Sequence, residues 1–345
     1  MKITVDMGHI DSIYNYGCIL EHGEGVEINK KLAAHYYKIA ADYGHENAMN
    51  NYGVMLLNGD GIEMDKSKAA IYFKKAIYKG CINAMANYGN MLYYGNGIKT
   101  NKLKALNYFK MAADKGNNCH IIRYARILKD GDGDVIKPNK KEAAKYFKIA
   151  ADNGDEHAMF YYGIMLINGD GIKIDTKKAS EYFKKSAEKG NINSIFQYGK
   201  MLYNGVGITI NKKEAAEYFK IAADKGHICA NSYYGTMLIK GDGIDVDEKE
   251  AAKYLKKAAD NGDVTSMFNY GIQLLNGKSV QINQIEALSY LKKAADLGNS
   301  DAMLHYGNIL YNGYEVKKKK RKFFSNFSNQ ISIDLKLIMI KKKLK

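Results

Sequence analysis

Tryptophan is absent from this 345-residue chain, and proline occurs once, at Pro138. No apolar run has the roughly 18 residues of a membrane-spanning helix. The nearest candidate, ISIDLKLIMI at 331–340, is too short and carries two charges. The opening MKITVDMGHIDS lacks the apolar core of a secretory leader. Scarce proline beside abundant Ala, Leu, Lys and Tyr favours helices over a β-sandwich. Cysteine is sparse. Cys18, Cys81, Cys119 and Cys229 share no spacing and form no CxxC pair, which excludes a patterned zinc site or disulfide framework. Reduced thiols in a cytoplasmic protein, without metal or cofactor, are the expectation.

Acidic residues are the minority, 37 against 52 Lys and Arg, for a net charge of +15. The imbalance is local. Residues 317–345 hold eleven Lys/Arg and one acid, Asp334, a net of +10, which leaves +5 for the other 316 residues. A nucleic-acid-binding domain would spread its charge along a face or groove. Binding of that kind is expected only through the tail, whose KKKKRK run (Lys317–Lys322) also fits a nuclear localisation signal or a membrane-surface patch.

The rest of the chain repeats itself. Tyr recurs at Tyr16, Tyr52, Tyr88, Tyr124, Tyr162, Tyr198, Tyr234, Tyr270 and Tyr306, in steps of 36 residues except for 38 between Tyr124 and Tyr162. Leu follows four positions later, from Leu20 to Leu310, and a small residue such as Ala48, Ala84, Ala158 or Ala302 stands four before. Positions i, i+4 and i+8 make one stripe of a helix, here helix A. A glycine (Gly23, Gly59 and onward to Gly313) stands where a left-handed C-cap belongs. Then comes an unbroken Asn/Asp column: Asn29, Asp65, Asn101, Asn139, Asp175, Asn211, Asp247 and Asn283. It predicts the N-caps of a second helix, helix B, each worth about 1 kcal/mol. Helix B carries an Ala column (Ala33 to Ala287) and a Tyr column (Tyr36 to Tyr290), and closes on a further glycine.

One column opposes helix propensity. Directly after the helix A Tyr stand Gly17, Gly53, Gly89, Gly163, Gly199, Gly235, Gly271 and Gly307, and only Ala125 departs. A mid-helix glycine costs about 0.5–1 kcal/mol relative to Ala. Close approach of helix B, through its Ala column, is the expected return. A single hairpin cannot bury its apolar faces, whereas stacked neighbours can.

Units such as YGVMLLNGDGIEMDKSKAAIYFKKA and YGKMLYNGVGITINKKEAAEYFKIAADKG resemble the Sel-1-like repeat family, a branch of the tetratricopeptide-like superfamily. The 36-residue period and the YG…GxG…AxxY layout separate it from the 34-residue tetratricopeptide repeat. The resemblance implies an all-α, right-handed superhelical solenoid of helix-turn-helix repeats that serves as a non-enzymatic adaptor or scaffold. About eight repeats span 1–314, opening in mid-repeat because MKITVDMG matches the last turn of a helix B. A basic low-complexity tail fills 315–345, where Glu315 and Lys319 replace the expected glycine and N-cap. The family also suggests an adaptor in endoplasmic-reticulum degradation, a role that usually brings a signal peptide and membrane segment. Secreted relatives described as β-lactamase-like carry regularly paired cysteines, which this chain lacks.

Other chemistries find little footing. The Gly-x-Gly pairs lack the GxxxxGK[ST] pattern and a preceding strand, so they are expected to be turns. In the DGDGD loop, counting from Asp130, the calcium-loop positions for Gly and Glu are Val135 and Lys141. His9, His45 and His227 each follow an inter-repeat glycine, which predicts a helix-start role. No catalytic cluster breaks the periodicity.

What varies points to binding. The residue before the helix A Tyr includes Asn87, Arg123, Tyr161, Gln197, Tyr233 and Asn269, and three positions on come Asn90, Arg126, Ile164, Lys200 and Thr236. At i and i+3 the two columns share one face. In the resembled fold helix A lines the concave groove, so these residues are the expected surface for a peptide or domain of a partner protein. Arg123 and Arg126 beside Lys129 form the expected grip for an acidic or phosphorylated segment, since arginine binds both bidentately.

Overall fold

The computed structural model describes residues 9–133, 135–277 and 280–311. Met1–Gly8, Gly313, the basic run and the expected tail lie outside the described residues.

Among the described residues are seventeen α-helices and no strand beyond a single bridge between Asp132 and Ile136. They are α1 (Ile10–His22), α2 (Lys30–Asp42), α3 (Glu46–Asn58), α4 (Lys66–Tyr78), α5 (Ile82–Tyr94), α6 (Lys102–Ala113), α7 (Asn118–Asp130), α8 (Lys140–Asp152) and α9 (Glu156–Asn168). There follow α10 (Thr176–Glu188), α11 (Ile192–Asn204), α12 (Lys212–Asp224), α13 (Ile228–Lys240), α14 (Glu248–Asp260), α15 (Val264–Asn276), α16 (Gln284–Asp296) and α17 (Ser300–Tyr311). Odd-numbered helices are helix A and even-numbered ones helix B. The chain divides into two compact units between Ser186 and Ala187, inside α10. Within each unit helix A packs on the helix B of its hairpin, as α3 does on α4, and helix B packs on the next A, as α8 does on α9.

Local chemistry sets the boundaries. Asn29 Oδ1 accepts from the Leu32 amide at 2.9 Å and Asp247 Oδ1 from Glu250 at 2.8 Å, and the same bond caps the other six B helices. Seven glycines closing helix A are left-handed, as at Gly59 (φ 76°, ψ 27°). Gly131 differs, with ψ −167°, because the inserted loop leaves α7 in an extended direction. His45 and His227 cap their A helices through Nδ1, which accepts from Ala48 and Ala230 at 3.2 Å; His9 makes no such bond.

The two Tyr columns meet. Eight A–B pairs, from Tyr16–Tyr36 to Tyr270–Tyr290, pack edge to face with centroids 4.8–5.3 Å apart. Such pairs contribute about 0.5–1.5 kcal/mol beyond their buried area.

The glycine column faces a different surface from the one its spacing suggested. A Cβ on Gly53 would lie 2.8 Å from the Phe73 ring, and the same holds against Tyr37, Phe109, Phe183, Phe219, Leu255 and Leu291 in other repeats. The opposing column is therefore the large residue just after the helix B Tyr, which is fully buried. The Ala column contributes only backbone, such as the Ala33 carbonyl near Gly17. Side-chain volume makes the difference, since a buried ring needs the space that a methyl does not.

Two recurring contacts lock consecutive repeats within a unit. The helix B Tyr donates to the Asp ending the previous helix B: Tyr146 to Asp114 at 2.6 Å, Tyr182 to Asp152 at 2.8 Å and Tyr254 to Asp224 at 2.7 Å. The Lys opening helix B pairs with the Asp of the next Gly-Asp-Gly loop: Lys30–Asp60 at 2.9 Å, Lys102–Asp132 and Lys212–Asp242 at 2.7 Å. Gly61 permits the latter, because a Cβ there would sit 2.5 Å from the Lys30 carbonyl carbon. Between α4 and α5 neither contact forms, since Tyr78 and Asn96 stand where the acids belong.

Candidate partner-binding face

Helix A has three kinds of position. The small–Tyr–Leu stripe is buried, as at Ala48, Tyr52 and Leu56. The position three after the Tyr is buried too, at Met55, Met91, Met165, Met201 and Met237. The columns before the Tyr and two after it are half-buried at every candidate position except Arg126, which is exposed. They form neither core nor a freely solvated face. Most lean on an adjoining repeat.

In the first unit, Asn87 Nδ2 donates to Asn50 Oδ1 at 2.9 Å. Asn90 keeps a buried Oδ1 with no partner. The Arg123 guanidinium lies over the Phe109 ring, 4.5 Å from its centroid. Burial there lowers the Arg123 pKa, while nearby Tyr94 and Tyr93 work in the opposite direction. Arg126 and Lys129 both lie over Tyr161, at 5.9 and 5.5 Å, and Tyr161 stacks on Phe147 at 5.1 Å. Ile164 sits one turn further along α9.

The arginine patch thus has two sides. Arg123 and Arg126 line one open cleft of about 460 Å³ with Tyr93, Tyr94 and Asp130. Lys129 lies outside that lining and pairs with Asp130 at 3.1 Å. Asp132 is engaged by Lys102. Neither arginine has an ion pair among the described residues. Tyr93 and Tyr94 are not in the variable columns, so the sequence pattern did not single them out; the doubled Tyr closing α5 was the available signal.

In the second unit, Tyr233 packs on Phe219 at 5.0 Å and edge-on to Phe196 at 5.5 Å, and Lys200 lies over Phe196 at 5.8 Å. Gln197 and Thr236 are half-buried on α11 and α13. Asn269 lines a cleft of about 210 Å³ with Gln273 and His305. Gln273 was missed, although it is the one amide in a column that is otherwise Met or Ile. Among the described residues no group of three His, Cys, Asp or Glu is placed to hold a metal ion.

Tandem helix pairs with this division into buried and half-exposed columns define a helical solenoid of repeats. The Sel1 repeat profile matches nine segments: 10–45, 47–81, 82–117, 121–155, 156–191, 192–227, 230–263, 264–299 and 300–322. The chain belongs to the Sel1 repeat family. Among solved structures it is similar to a Sel1 repeat protein from Oxalobacter formigenes, with 22% identity over 89% of each chain and a TM-score of 0.69. It is also similar to a protective antigen of uropathogenic Escherichia coli displaying an SLR fold, with 25% identity, 91% of this chain, 74% of that one and a TM-score of 0.66. No curated protein matches at comparable significance. Sel1 repeat proteins generally mediate protein–protein interaction on a non-catalytic scaffold. No helix among the described residues is long and apolar enough to cross a membrane.

Proposed function

We propose that this chain is a non-enzymatic scaffold that holds partner proteins on its helix A face, concave in the resembled fold. The observation that carries this reading is chemical variety at fixed, partly exposed positions. Asn87, Arg123, Tyr161, Gln197, Tyr233 and Asn269 occupy one repeat position, while the buried columns around them barely change. A surface kept for packing alone has no need to alternate among amide, cationic and aromatic side chains at one repeat position. Arg123 and Arg126, unpaired and lining one cleft, fit an acidic or phosphorylated partner segment. Lys129 adds positive charge beside it. The chain's four unpaired cysteines support a reducing compartment such as the cytoplasm.

The test is affinity capture with the full chain, its Tyr161→Ala/Tyr233→Ala variant and its Arg123→Glu/Arg126→Glu variant, each checked for native helicity. The expected result is loss of at least one captured protein with each folded variant. Folded variants that retain every partner at parental affinity refute the reading.

A further inference from the structure

The cleft beside Asn269 contains an unmet hydrogen bond. Gln273 is only 8% exposed, and its Oε1 has no partner. Its Nε2 donates to the Glu248 carbonyl at 3.2 Å. That carbonyl only accepts, so the amide must point its nitrogen there and its oxygen elsewhere. Repeats on either side avoid the problem, with Met237 before it and Ile309 after it in the same column. A buried acceptor left unpaired costs stability that methionine would not.

The surroundings specify what would satisfy it. Glu248 also lines the cleft, and its carboxylate has no ion pair among the described residues. Among the described residues no Lys or Arg lines it. Phe268, Ile272 and Ile239 supply apolar wall, and His305 of α17 closes one side against Phe268, with ring centroids 5.4 Å apart. At about 210 Å³ the cleft is smaller than sites for whole small molecules, which run to roughly 300–1,000 Å³. It suits one long side chain.

We propose that this cleft is a subsite for an arginine side chain of a partner protein. The stem lies against Ile239 and Ile272, the guanidinium stacks on Phe268, and its N–H groups serve the Glu248 carboxylate and, once the Gln273 side chain turns toward the cleft, its buried Oε1. Arginine fits because its planar fork offers several donors at once and stacks on aromatic faces. The proposal rests on the helix A face being the binding face.

The probe is N-acetyl-arginine N-methylamide, titrated into the full chain beside its neutral citrulline counterpart. NMR follows the Gln273 amide and the Ile239 and Ile272 methyls. Saturable shifts are expected with arginine, and binding about tenfold weaker with citrulline. Glu248→Gln and Gln273→Met are each expected to weaken arginine binding about tenfold. Gln273→Met should also raise the melting temperature, which a merely structural glutamine would not do. Equal response to both probes, or parental affinity in both variants, overturns the assignment. So does a full-length variant with Lys317–Lys320 changed to Gln whose probe-free cleft signals move, because the chain's own tail would then be the occupant. Loss of arginine binding with partner capture intact sinks this subsite alone. Arginine binding without any captured partner sinks the broader reading and leaves the subsite standing.

Discussion

Replacing Tyr254 with Phe removes one hydroxyl from a side chain that is 2% exposed, and keeps the ring that packs edge-on against Tyr234. That hydroxyl donates to Asp224 Oδ1 at 2.7 Å and so ties α14 to α12. A hydrogen bond to a charged group contributes about 1.5–3 kcal/mol. Asp224 is exposed, so water recovers part of the loss, and about 1–1.5 kcal/mol is the expected cost. Tyr108 occupies the same repeat position and packs edge-on against Tyr88 in the same way. The residue thirty positions before it is Tyr78 rather than an aspartate, so Tyr108→Phe removes a hydroxyl with no carboxylate to lose. Its cost should stay within about 0.5 kcal/mol. The assay is urea unfolding followed by far-UV circular dichroism, with hydrogen exchange on α14 and α6 to localise any loss, because repeat arrays need not unfold in one step. Equal destabilisation by the two substitutions refutes the clasp as a source of stability.

Two further outcomes follow from packing and protonation. Gly53→Ala pushes a methyl against the buried Phe73 ring and should cost about 1–3 kcal/mol in urea unfolding, despite the better helix propensity of alanine. His227 has its pKa lowered by burial, and its Nδ1 accepts the Ala230 amide. The unfolded ring takes up a proton near 6.5 while the folded ring still resists. Its contribution is therefore present above pH 6.5 and is lost as the pH falls through the lower folded value. His227→Asn should flatten the pH dependence of the urea midpoint in that range.

The repeat's architecture was legible because its determinants are local. A side-chain cap, a left-handed glycine and a 3.6-residue stripe each act within a few positions, and all lie in the sequence as columns. Contacts between repeats were less legible. The Tyr–Asp clasp joins residues thirty apart, and the Asp closing α12 reads in sequence as an ordinary helix end. The glycine column is plain in the sequence, but its partner there reads as Ala33 and its equivalents, because periodicity shows which residues share a face and not how far each projects. The arginines were found by their rarity. Their separation into a cleft with Tyr94 and a stack on Tyr161 depends on where α5 and α9 lie, which no single repeat encodes.

The joint between α4 and α5 lacks both clasps that its neighbours in the first unit have. Joints along a stack bear load in series, so tension applied through the first unit is shared equally but yields unequally. The segment from α1 to α4 is thereby set off as the part that parts first. Tyr78, 90% exposed at that seam, marks the place where a pulled chain would come open.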